Sequence, residues 1–136
     1  MKLNPKLLKD VNEQLTLINN KLDNKQEKGI TLWTNPSPSN SFSAQTINNI
    51  NLTDYKFIEI YYIRYSGKNI FCNRIPFENA EIYTQLNYCD YDVGNVRAWI
   101  RNVRLRTTDI YFNTASINSN VDNNALVPYK IIGYKN

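Results

Sequence analysis

Asp90 and Asp92, in the run Cys89-Asp90-Tyr91-Asp92-Val93-Gly94, are the nearest pair of carboxylates that a strand would place on one side. Residues two apart on a strand lie about 6.5 to 7 Å apart, a spacing at which an acid and a base can flank a glycosidic bond. The same carboxylates, with backbone carbonyls, could hold calcium. The competing reading is structural, because this run is a turn sequence in which aspartate accepts backbone amides. We expect no catalytic and no metal role for it. The chain has no histidine, which removes a Ser-His-Asp triad, a Cys-His pair and an imidazole metal site. It contains neither GxGxxG nor GxxxxGK followed by Ser or Thr, so nothing supports nucleotide binding. Cys72 and Cys89 lack metal-ligand spacing and are expected as reduced, partly buried side chains. No cofactor is expected.

Arg97, Arg101, Arg104 and Arg106 interleave with Trp99 and Leu105. Such a pattern on a sheet can hold single-stranded nucleic acid. The alternative, which we favour, is that the arginine stems cover apolar surface and their heads pair with Asp or Glu across strands or protomers. The formal charge of +4 is mild, and Lys2, Lys6, Lys9, Lys21, Lys25 and Lys28 decorate the N-terminal segment as solvated residues. A nucleic-acid partner is not expected. Neither is membrane insertion, because no run approaches the ~20 apolar residues of a span. The opening MKLNPKLLKDVNEQ lacks the continuous apolar stretch of a secretory leader.

Tyr83, Gln85, Tyr91 and Asp92 are the candidate contact residues. Strand alternation puts Tyr83, Gln85, Asn87, Cys89 and Tyr91 on one side, opposite Ile82, Thr84, Leu86 and Tyr88. A tyrosine ring offers an apolar face to the C–H side of a sugar and a polar tip to water. The amides and the carboxylate suit hydroxyl groups. The other reading gives the same residues to a subunit interface or the core.

These residues need a scaffold, and the sequence indicates one. Ile30–Thr34, Phe42–Ile47, Tyr55–Tyr65, Ile70–Ile75, Ala80–Tyr91, Val96–Thr107, Asp109–Phe112 and Leu126–Tyr134 read as strands. Asn35–Asn40, with two prolines, Ser66-Gly67-Lys68-Asn69 and Asp92–Asn95 read as turns, and residues 113–124 as a polar loop. Seven or eight short strands at about ten-residue intervals predict an all-β, antiparallel sandwich of jelly-roll type. It would occupy residues 29–136, behind a helix and linker in residues 1–28.

That helix carries Leu8, Val11, Leu15, Ile18 and Leu22 at alternating spacings of three and four, the rhythm of a heptad seam. Asn4 and Pro5 suit its start. Such a short helix is marginal alone in water. Either it lies on its own domain, or it forms a parallel coiled coil with copies of itself. The narrow stripe favours the coil. Leu at the first heptad position and a β-branched residue at the fourth favour three or four strands.

LWTNPSPSNSFSAQTI at 32–47, followed by NLTDYKFIEIYY at 51–62, resembles the opening of the C-terminal head domain of tail-fibre, receptor-binding proteins of phages and prophages of Gram-positive bacteria. WIRNVRLRTTDIYFNTA at 99–115 and LVPYKIIGYKN at 126–136 are similar to that family's Arg-x-Val strand and closing signature. The resemblance covers nearly all of residues 30–136. It implies a homotrimeric β-sandwich head in the virion, synthesised in the host cytoplasm and assembled with other tail or fibre proteins. It implies attachment to a host cell-surface saccharide and carries no catalytic set. Typical members continue N-terminally into a long shaft, where this sequence has residues 1–28. A structural head-fibre or decoration protein without its own receptor is the alternative.

Overall fold

A computed structural model describes residues 4–25, 28–65 and 69–135. Helix α1 spans Pro5–Lys25. Its start is the one expected: Asn4 Oδ1 accepts the Lys6 amide at 3.0 Å, and Asn4 O accepts the Leu8 amide at 3.1 Å. From Asn4 to Leu22 every residue is exposed, and the five seam side chains keep 47–55% of their surface. The helix therefore does not lie on its own sandwich, and the first of the two readings fails.

The strands are β1 Gly29–Thr34, β2 Gln45–Asn48, β3 Phe57–Tyr65, β4 Ile70–Pro76, β5 Ile82–Asp92, β6 Asn95–Leu105, β7 Asp109–Ile117, β8 Asn120–Val121 and β9 Ala125–Tyr134. They form two antiparallel sheets, β1-β9-β3-β4 and β2-β7-β6-β5, with β8 paired to β7. The sheets pack face to face, giving the sandwich that the strand spacing predicts. The core lies between them: Ile58, Ile60 and Tyr62 of β3 and Ile131 of β9 meet Leu86, Val103, Leu105, Ile110 and Phe112 of the second sheet. Period-two alternation places these residues on inner faces. Side chains of the first sheet also reach β5: Asn73 Nδ2 donates to Gln85 O at 2.9 Å, and Tyr62 Oη shares its proton between Asn73 Oδ1 at 3.1 Å and Asn87 O at 3.3 Å.

Two details differ from the sequence reading. The second strand begins at Gln45, not Phe42. Phe42 instead plugs the core edge-on to the rings of Trp33 and Phe112, and its amide donates to Asn123 O. The polar segment 113–124 is not a loop throughout. β7 runs on to Ile117 opposite Trp99, then turns through Asn118 and Ser119, both at positive φ, into β8. Residues 66–68 of the expected hairpin turn lie outside the described residues. The turn at Asp92–Asn95 is present, with Val93 and Gly94 both at positive φ, as a two-residue hairpin of right-handed twist requires.

The interior also holds a cation. Arg101 is fully buried on the inner face of β6. Its Nε, Nη1 and Nη2 donate to the carbonyls of Leu126, Asn113 and Ala125 at 3.0, 2.6 and 3.2 Å. Burial pulls its pKa down to about 10, against the opposing charge of Asp122, so it stays protonated at neutral pH. The sequence reading paired the arginines with carboxylates. That holds for Arg97 with Asp90, Arg104 with Glu81 and Arg106 with Asp109, but not for Arg101.

Candidate functional site

The outward face of the β5-β6-β7 meander carries a cavity of about 510 Å³. Its side chains are Tyr83 and Gln85 from β5, Asn102 and Arg104 from β6, and Tyr111 and Asn113 from β7. Register creates it: Tyr83 lies opposite Arg104, Gln85 opposite Asn102, and Arg104 opposite Tyr111. The bulge in the β6–β7 pairing between Arg101 and Val103 bends this face, as bulges do. Gln85 Nε2 donates to Asn102 Oδ1 at 2.8 Å, which leaves the side-chain atoms Gln85 Oε1 and Asn102 Nδ2 for a ligand. Tyr83 keeps 73% of its surface, and its hydroxyl donates to Glu81 Oε1 at 3.1 Å. The Arg104 guanidinium lies 5.5 Å from the centre of the Tyr111 ring, within cation–π range. An exposed ring, two amides and a cation can together hold a polyhydroxylated molecule.

The structure brings Tyr83 and Gln85 together but leaves Tyr91 apart. Eight residues separate Tyr83 from Tyr91 along one strand, about 26 Å. Tyr91 lies opposite Val96, next to the exposed Val93 of the hairpin tip. Asp92 ends β5, and its side chain lies outside the described residues. The sequence reading missed Asn102, Arg104, Tyr111 and Asn113. A usable signal existed, because a two-residue turn at Val93–Gly94 fixes the β5–β6 register. Equal steps back from that turn put Arg104 beside Tyr83 and Asn102 beside Gln85.

Asp90 turns inward. It accepts Arg97 Nε and Nη2, both at 2.8 Å, and Arg64 Nη2 at 2.9 Å. The Arg97 hydrogen bonds and the two positive charges hold its carboxyl below the usual range, so it is a poor proton donor. Arg64 also stacks 3.3 Å over the Tyr88 ring. These groups line a second cavity of about 500 Å³ with Trp99 and Asp122, but their charges are already paired with one another. Among the described residues, no three His, Cys, Asp or Glu side chains gather as a metal site. None of the described helices is long and apolar enough to cross a membrane.

A third cluster sits on the outward face of the first sheet. Glu59 accepts Tyr61 Oη at 2.8 Å, Cys72 Sγ at 3.0 Å and Arg74 Nη1 at 3.3 Å. Burial alone would raise its pKa; hydrogen bonds from Cys72, Tyr61 and Tyr134 and the Arg74 charge outweigh it and lower the pKa. Cys72 and Cys89 are both free, as expected, but exposed as residues rather than partly buried, because strand parity turns them outward. The Cys72 sulfur is nonetheless shielded. Desolvation and the bond to Glu59 push its pKa from 9.0 to about 11. A hundredfold smaller thiolate fraction, offset about tenfold by the greater nucleophilicity of a more basic thiolate, predicts roughly tenfold slower alkylation near pH 8. Mass spectrometry after timed iodoacetamide treatment should show Cys72 modified about tenfold more slowly than in the urea-unfolded chain. Glu59→Gln should accelerate it.

No protein-family model and no curated protein matches the chain.

Proposed function

We propose that the protein is a homotrimeric, non-enzymatic attachment protein of a phage virion, whose sandwich head binds a host cell-surface saccharide through the groove around Tyr83. The observation that carries this reading is the exposed seam of α1, five apolar side chains at heptad spacing that no described residue of their own chain covers. Copies of the same helix supply complementary cover, and a parallel coil would present three heads at one end. Three weak sugar sites on one rigid base gain avidity without any new contact. The order of the segments that resemble tail-fibre heads supports the same reading, and so does the groove, which pairs an exposed ring with amides.

Tyr83→Ala together with Asn102→Ala removes the stacking face and one amide while leaving the core untouched. Binding of the assembled protein to its glycan on an array should fall at least tenfold, with solution mass unchanged. Retained binding removes the groove from the proposal. An array on which no glycan is bound favours the second reading, a structural fibre or decoration protein held by other virion proteins.

A further inference from the structure

We propose that the groove takes an acidic saccharide, whose carboxylate displaces the side chain of Glu81 from Arg104. This inference rests on the groove being the saccharide site, and it names the class of sugar.

Glu81 immediately precedes β5, on the segment joining it to β4. Its Oε1 takes two donors that belong to the groove: the Tyr83 hydroxyl at 3.1 Å and Arg104 Nε at 3.3 Å. The second contact is an ion pair without an aligned hydrogen bond, and the Arg104 Nε is buried without one. Both side chains are partly exposed, 32% for Arg104 and 44% for Glu81. Half-exposed pairs of poor geometry hold weakly. The neighbouring pair behaves otherwise: Arg97 grips Asp90 through two aligned bonds of 2.8 Å, and no ligand acid would open it. Among the described residues, Arg104 is the only guanidinium lining the groove. A planar guanidinium binds a carboxylate best through two parallel N–H bonds, which Glu81 does not achieve from its place in the chain.

Glu81 is thus an internal stand-in for the acid of the ligand. A uronic or sialic acid whose carboxylate reached Arg104 would lay its ring toward Tyr83, with hydroxyls at Gln85 and Asn102. Two acids compete for one cation, so removing the internal one strengthens binding of the other. Glu81→Gln keeps an oxygen acceptor for the Tyr83 hydroxyl and therefore keeps the groove in shape.

The experiment is a glycan array of uronic- and sialic-acid oligosaccharides, their methyl esters and neutral counterparts, probed with the whole assembled protein. Calorimetry on the strongest binder follows. The expected result is binding of acidic glycans, about tenfold weaker for the ester and for Arg104→Gln, and about two- to fivefold tighter for Glu81→Gln. Strongest binding by neutral glycans, equal binding of acid and ester, no gain in Glu81→Gln, or no bound glycan at all would each overturn it. A neutral binder lost in Tyr83→Ala leaves the groove standing and removes only the acid. A binder indifferent to Tyr83, Asn102 and Arg104 removes both.

Discussion

Leu15→Asp with Ile18→Asp is expected to break the proposed trimer, reducing a solution mass of three times the 15.9 kDa chain to that of one chain, read by light scattering. The five seam residues are each about half exposed in the single chain. Covering them removes roughly 400 Å² per chain from water, about 10 kcal/mol per chain at 25 cal/mol per Å². Association consumes about 4 to 15 kcal/mol of such a gain, so the coil has little to spare. Two of the five apolar groups vanish in the variant, and six carboxylates crowd one seam when three copies meet, each far costlier to desolvate than a methyl group. An unchanged mass would refute the role given to the helix, leaving the heads to associate by themselves.

Arg101→Met is expected to lower the stability of the sandwich by about 3 to 5 kcal/mol, out of the 5 to 15 typical of a domain. The substitution keeps the apolar stem but leaves the carbonyls of Leu126, Asn113 and Ala125 without their donors. A buried acceptor left dry costs about 1 to 3 kcal/mol, and water reaching the space would recover part of that. Leu126 adds to the demand, because it sits in the left-handed region at φ 51° and is fully buried. A non-glycine residue holds that conformation only where its surroundings impose it, and the guanidinium on its carbonyl is one such constraint. In a thermal melt, the Met variant should unfold about 15 °C lower, with Arg101→Lys between it and the parent. A shift below about 3 °C would show that the carbonyls find other donors.

The outward and inward faces of β5 were legible because one tight turn and strict alternation govern them. Leu86 is buried and Tyr83 is exposed, as period two requires. Arg101 was not legible. In the sequence it is one of four arginines in a strand, and what distinguishes it is carbonyls contributed by residues 12 to 25 positions away. Phe42 was misplaced for a related reason. Its local neighbours permit a strand, but Trp33, Phe112 and Asn123 take it into the core. The extension of β7 through polar residues likewise depends on pairing with β6, which composition does not express. In the groove, the two β5 residues were visible by parity. Arg104 and Tyr111 entered only through cross-strand register.

The side chains of Asn73 and Tyr62, each bonded to a carbonyl of β5, carry a consequence for crowded assembly. A long border strand is a template on which foreign extended segments polymerise, the first step towards amyloid. Here a newcomer would have to strip away an amide and a phenol before it found those acceptors vacant. Copies of this sandwich brought close together thus meet a built-in barrier against zipping up along β5.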